Sequence, residues 1–258
     1  IMITFLILSA LTIIGFGLAF SLMGDSVDAA ALNITGETPQ NISDDVKTAG
    51  LRMLEFSFAS TLYVIGLFFA IFSTAGLIPD MLKKGNIDLF LSKPISKFEL
   101  LTGKYLGALA VVFVNIVFLV GSIWLMVGLK FSFWEPSFLF TIAAIMYVFA
   151  AIYALITLTG ILTKSSVLPT IISFLIIIIV NPMLGSRESI YQLTDSVIVK
   201  GILETLYYIM PQAQKIIGIL QSSILGKTNL DFTPILTTGA LLIAYLGLSY
   251  FVFKKKDF

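Results

Sequence analysis

The chain contains no cysteine and no histidine. The first absence excludes disulfides and thiolate metal sites. The second removes the commonest metal ligand and the usual proton shuttle near neutral pH. A nucleophile–histidine pair is likewise impossible. Charge is scarce too, at 12% of 258 residues, and almost none of it falls inside the long apolar runs. Secondary transporters and proton pumps usually keep ionisable residues within their spans, so the pattern argues against that class. No constellation supports hydrolysis or group transfer. No repeat of 20–50 residues and no low-complexity linker divides the chain, which reads as one membrane domain over residues 1–258.

What is abundant is apolar surface. Hydrophobic residues make up 58% of the chain, against about 45–50% in a soluble domain. The mean hydropathy is +1.01. The excess is gathered into runs of roughly 20 residues, the length that crosses a bilayer. The expected fold is an all-α polytopic membrane protein with six spans, near 1–23, 54–78, 105–129, 138–162, 167–184 and 234–253. The first run starts at Ile1 without an initiating Met, so a native segment upstream is expected. It lacks the basic region and small-residue cleavage site of a signal peptide and reads as a span.

The stretches between the runs differ sharply. Gly24–Gly50 is an acidic, turn-rich loop. Its Asn33-Ile34-Thr35 and Asn41-Ile42-Ser43 fit the glycosylation sequon but read as chance matches in a polar loop. Arg52 and Glu55 stand at the mouth of the second run. Lys130–Pro136 and Thr163–Ser166 are short turns, and Trp124 and Trp134 suit an interfacial position. Residues 185–232 are mixed. The part at 202–224 is apolar enough to suggest a seventh span, yet it holds Glu204, Pro211, Gln212, Gln214, Lys215 and Gln221. Those groups are costly facing lipid. One or two amphipathic helices, broken at Pro211, are expected instead, lying at the interface or dipping in and returning.

Charge sets the orientation. With six spans, residues 79–104, 163–166 and the C-terminus share one side. That side holds nine basic residues (Lys83, Lys84, Lys93, Lys97, Lys104, Lys164, Lys254, Lys255, Lys256) and four acidic ones, net +5. The other side holds the remaining seven basic and eleven acidic residues, net −4. Cytoplasmic loops carry the Lys and Arg excess, so both termini are expected in the cytoplasm. A seventh span would put Lys254–Lys256 outside.

Apparent motifs mostly dissolve on inspection. Gly226-Lys227-Thr228 resembles part of a phosphate loop, but Gln221 stands where the first glycine belongs and no strand precedes it. Gly103-Lys104-Tyr105 lacks the following Ser or Thr. Ser57, Ser60, Thr61, Asn115, Thr157, Thr159 and Ser173 read as helix–helix hydrogen-bonding groups. Gly103 and Gly107, at GxxxG spacing, read as a close-packing pair, and the phenylalanines as lipid-facing or packing residues. No nucleic-acid-binding feature stands out.

The polar segment after Pro79 carries the best functional clue. Pro79 suits a first helical turn. Beyond it, Met81, Leu82, Leu89, Phe90 and Leu91 alternate with Lys83, Lys84, Asn86 and Asp88. That is a short amphipathic helix, bent at Gly85 and ended by Pro94. Such an element lies flat at a membrane surface and shows a polar face to a cytosolic partner or to anionic lipid.

The run Gly85-Asn86-Ile87-Asp88-Leu89-Phe90-Leu91-Ser92-Lys93-Pro94-Ile95-Ser96-Lys97, followed by Glu99-Leu100-Leu101-Thr102-Gly103-Lys104-Tyr105-Leu106-Gly107, resembles the first cytoplasmic loop of ABC-2-type permeases of ABC transporters. The ending Phe253-Lys254-Lys255-Lys256-Asp257-Phe258 is similar to the basic-then-Asp tail frequent in that family. Asn86 stands where Thr is frequent and Lys97 where Arg is frequent. The family's elbow helix before the first span is not seen, as expected if the chain continues upstream. The resemblance implies a transmembrane domain like that of type V ABC exporters. It implies a permease that dimerises and docks onto two cytosolic ABC ATPase subunits, which would hold ATP and Mg; this chain would bind no cofactor or metal and would not be an enzyme itself. Lys83, Lys84, Gly85, Asn86, Asp88, Leu89, Leu91, Lys93, Pro94 and Lys97 would form the ATPase-coupling element. A prokaryotic cytoplasmic membrane is the implied location, with residues 185–232 open to an extracytoplasmic partner. Two rival roles stand beside the exporter. One is a mechanotransmitter that drives such a partner, as in metalloenzyme maturation. The other is a pore or scaffold independent of any ATPase.

Overall fold

The computed structural model describes residues 3, 6, 7, 9–18, 44–82, 96–165, 167–193, 196–224 and 231–255. Among them every regular element is helical. Five helical segments are long and apolar enough to cross a membrane: Gly50–Met81, Lys97–Phe131, Pro136–Thr163, Val167–Gly185 and Thr233–Lys255. The first apolar run is described chiefly as the shorter helix α1, Ser9–Leu18. Both sequons lie outside the described residues.

The hub is α5, Phe140–Thr163. It is apolar all round, as a helix enclosed by others should be. Ile145, Val148, Phe149, Ile152, Tyr153, Ile156 and Ile161 are each fully buried. Around it pack α2 (Asp44–Thr74), α3 (Leu77–Met81), α4 (Lys97–Phe131), the span begun by α6 (Val167–Leu175), and the last helix, Thr233–Lys255. The ring of Tyr153 stacks on Tyr105 of α4 at 5.5 Å and on Phe149 at 5.3 Å. Tyr105 donates to the Ala150 carbonyl at 2.8 Å. Such groups join helices where lipid gives no hydrophobic drive to association.

Two boundaries differ from the sequence reading. The third span was expected from about residue 105, yet α4 starts at Lys97. The cause is a capping box. Ser96 Oγ accepts from Glu99 N at 3.1 Å, and Ser96 N donates to Glu99 Oε2 at 2.9 Å. Residues 44–50, expected as loop, already belong to α2. Gly103 and Gly107 also differ from expectation. A Cβ at either would meet nothing within 4 Å among the described residues, so the pair makes no close helix contact there. The close approaches use other glycines. A Cβ at Gly160 would stand 2.9 Å from Pro79 Cγ, and one at Gly128 2.5 Å from the Trp134 ring.

The span Val167–Gly185 is broken. After α6 comes a π-helical turn, Ile176–Val180, then α7, Asn181–Gly185. Pro182 explains the break. Its missing N–H and its ring cannot fit a regular α-turn over Ile178, and the wider turn relieves the clash. Beyond lie α8 (Arg187–Leu193), α9 (Val197–Ile209) and α10 (Ala213–Ile224), then α11, Thr233–Lys255. Met210-Pro211-Gln212 separates α9 from α10. α10 is no surface helix: Ala213, Ile216, Ile217, Leu220 and Ile224 are buried, packed on α2, α5 and α7.

Candidate functional site

One end of the bundle collects Met81, Leu82, Ser96, Lys97, Lys164, Lys254 and Lys255. Of the ten residues read as the coupling element, Lys97 is described; Lys83, Lys84, Gly85, Asn86, Asp88, Leu89, Leu91, Lys93 and Pro94 lie outside the described residues. What the structure does show is how both ends of that segment are held. On the entering side, Ile78, Pro79, Met81 and Leu82 are buried. The Pro79 ring lies against Gly160 of α5. On the leaving side the capping box fixes the first turn of α4, and Leu100 and Leu101 are buried behind it. Lys97 Nζ reaches the Lys254 carbonyl of α11 at 3.4 Å. Lys164, at φ 52°, closes α5 beside this end, its N–H donating to the Gly160 carbonyl at 2.9 Å. Leu82 and Ser96, the described residues that flank positions 83–95, are therefore both held at this end of the bundle.

A second feature was not legible in advance. An apolar groove of about 230 Å³ opens between α1, α2 and the broken span Val167–Gly185, lined by Thr12, Val64, Phe68, Phe174, Ile177 and their neighbours. Phe68 stacks on Phe174 at 4.8 Å, with Phe72 further along the same face. The π-turn forms one wall. Such turns recur at functional sites because they re-aim side chains. The sequence reading took these phenylalanines as lipid-facing or packing residues; in the sequence the break is marked by Asn181-Pro182, near the end of the span.

At the opposite end, long-range polar contacts tie the outer helices into the bundle. Asn181 is the junction. Its Nδ2 donates to the Ile176 carbonyl at 3.2 Å, and its Oδ1 accepts from Ala213 N at 3.0 Å. Tyr63 of α2 donates to the Ala213 carbonyl at 2.9 Å, and Gln221 Nε2 to Ser60 Oγ at 2.9 Å. Gln212 N donates to Thr238 Oγ1 of α11 at 3.2 Å, and the Tyr245 hydroxyl to the Ile209 carbonyl. Further out, Arg187 lies over the Tyr207 ring at 3.5 Å and near Glu204 at 3.8 Å. Tyr191 donates to Glu204 at 2.8 Å; burial and that carboxylate hold its phenol above the ordinary range. Asp231, by contrast, is held below its ordinary value by hydrogen bonds from Thr233.

Among the described residues no group of three or more acidic, His or Cys side chains could hold a metal ion. No curated protein matches the chain. A family model described as ABC-2 family transporter protein matches residues 3–258. With five apolar helices of spanning length, the protein is a multi-pass membrane protein, and the chain belongs to the ABC-2 family of transporter permeases.

Proposed function

We propose that this chain is the transmembrane subunit of an ATP-driven ABC exporter of a prokaryotic cytoplasmic membrane. It has six spans with both termini in the cytoplasm, carries no ATPase activity, and works as a homodimer on two separate ATPase subunits that bind ATP and Mg. The observation that carries the reading is the family match across residues 3–258. The anchored ends of residues 83–95 support a mechanical role for that segment, because closure of an ATPase pair could pull on Pro79 and Ser96 alike. The groove at Phe68 and Phe174 supports an apolar or amphipathic cargo. At about 230 Å³ it falls below the roughly 300–1,000 Å³ of a full ligand pocket, which suits one half of a path completed by a second copy.

A second reading has one observation in its favour. Leu193, Val197 and Ile198 on α8 and α9 are strongly exposed, as a docking face for an extracytoplasmic protein would be. On that reading the ATPase drives the partner and nothing crosses through this chain.

The test is purification in mild detergent and in nanodiscs, from cells expressing the chain with its neighbouring genes. Mass spectrometry then identifies what accompanies it. An ATPase that co-purifies with the wild type and is lost with Asp88→Lys plus Lys93→Glu is the expected result. An additional outer-side protein shifts the reading to the mechanotransmitter. Absence of any ATPase in both preparations overturns both readings in favour of a pore or scaffold.

A further inference from the structure

Glu55 is the most anomalous side chain among the described residues. Its relative exposure is 1%, and neither carboxylate oxygen has a hydrogen-bond partner. The charged groups acting on it are Glu135, in the turn between α4 and α5, and Arg52, one helical turn back on α2. Arg52 Nε also lacks a hydrogen-bond partner and stands 3.8 Å from Glu135 Oε2. Arg52 is thus within ion-pair distance of Glu135, while Glu55, three residues along the same helix, is closed off without a partner of its own. A buried carboxylate without donors is strongly disfavoured as a bare anion.

We propose that the Arg52–Glu55–Glu135 corner is a binding site for one small unhydrated cation: a proton, or a sodium ion that competes for the same carboxylate. Either supplies the single positive charge the corner lacks. The proton needs no cavity, which suits the closed surroundings of Glu55. Arg52, with 41% of its side chain exposed, gives the approach from solvent. The occupant has a mechanical consequence. Glu135 is fixed locally: its backbone carbonyl accepts from Trp124 Nε1 at 3.1 Å, and Trp124 packs on Trp134 at 4.7 Å. Loss of the cation places two anions on the facing elements and drives α2 away from the tryptophan turn. Charge at this corner then adjusts how the outer end is closed.

The chain carries its own reporter, because both of its two tryptophans belong to this corner. The experiment is tryptophan emission of the full chain in nanodiscs, titrated between about pH 4 and pH 9. It is run at constant ionic strength in choline chloride and again in sodium chloride. The expected result is one transition in the wild type, absent in Glu55→Gln and kept in Asp231→Asn. If sodium moves the midpoint to lower pH, sodium competes for the site; if it does not, the occupant is the proton alone. Glu135→Gln is the second variant, in case Glu55→Gln does not fold. It should keep the transition and move it to lower pH, because Arg52 is left to a single carboxylate. A transition that Glu55→Gln retains and Glu135→Gln abolishes belongs to Glu135 and overturns the proposal, as does emission insensitive to both pH and sodium.

Discussion

The two ends of this bundle are closed in different ways. The basic end is closed locally. Ser96 and Glu99 cap α4 within a single turn. α3 follows α2 almost without interruption, and Lys164 ends α5 with a bond four residues back. None of the buried unpartnered polar atoms falls among residues 77–82, 96–104 or 160–165. The opposite end is closed at long range. Asn181, Ser60 with Tyr63, and Thr238 reach from three separate spans to hold α10 and the turn before it. Arg52, Glu55, Arg187 and Gln212 keep buried polar atoms unpartnered there. Local closure resists opening because each piece holds itself. Long-range closure opens as a unit, since losing one tie exposes the groups it satisfied. A bundle pushed from its basic end should therefore yield at the other.

The largest change expected is at Gly160→Leu. The added Cβ would begin 2.9 Å from Pro79 Cγ, and a proline ring cannot swing aside. Overpacking of this kind costs about 1–3 kcal/mol, and the helix-propensity gain over glycine offsets under about 1 kcal/mol of it. Thermal unfolding in one fixed detergent should show a clearly lowered midpoint. Co-purification of the ATPase should weaken too, because Pro79 leads directly into residues 83–95. A midpoint equal to the wild type would mean that α3 is not pressed on α5, and the rigid-base half of the comparison would fall.

Asn181→Leu comes next and tests the opposite end. It takes the Asn181 Oδ1 acceptor from Ala213 N–H, which keeps only the Pro211 carbonyl at 2.9 Å, and it removes the bond to the Ile176 carbonyl, at about 0.5–1.5 kcal/mol for each bond lost. Hydrogen exchange should rise across α9 and α10 together and stay unchanged in α4 and α5. Exchange confined to the two or three residues around position 181 would show that the outer helices are held independently, not as a unit.

How much of this was legible in the sequence follows from the range of the causes. Apolar run length set the five spanning segments near their observed places, since burial of twenty-odd residues is a local property of composition. The Ser96–Glu99 box is also local, a pattern spaced by three, yet it was read as the end of a loop, so α4 was begun too late. The break at Pro211 needed only a proline among apolar residues. The burial of α10 was not visible, because its apolar face meets α2 and α5, far away in sequence. The groove was hidden for the same reason: Phe68 and Phe174 meet only after folding. Glu55 stands at the mouth of its span in the sequence, and nothing local says that its carboxyl is shut in. The GxxxG spacing of Gly103 and Gly107 misled in the other direction, since the face they define meets no helix among the described residues.

The smallest effect separates local from long-range closure most cleanly. Ser96→Ala removes an N-cap at the surface, a loss of about 1 kcal/mol. The Glu99 carboxylate would then hold Ser96 N–H alone, without the return bond to its own N–H. Exchange should rise over the first turn of α4 and stop there, because Leu100 and Leu101 remain buried against the core. The thermal midpoint should move less than with Asn181→Leu, although both changes remove partners from backbone N–H groups. The difference lies in what depends on the bond. At Ser96 it is one helical turn; at Asn181 it is the docking of α10 onto the bundle. If Ser96→Ala instead loosens α3 and α11 as well, the bond from Lys97 to the Lys254 carbonyl is part of the clamp, and the basic end is closed at long range after all.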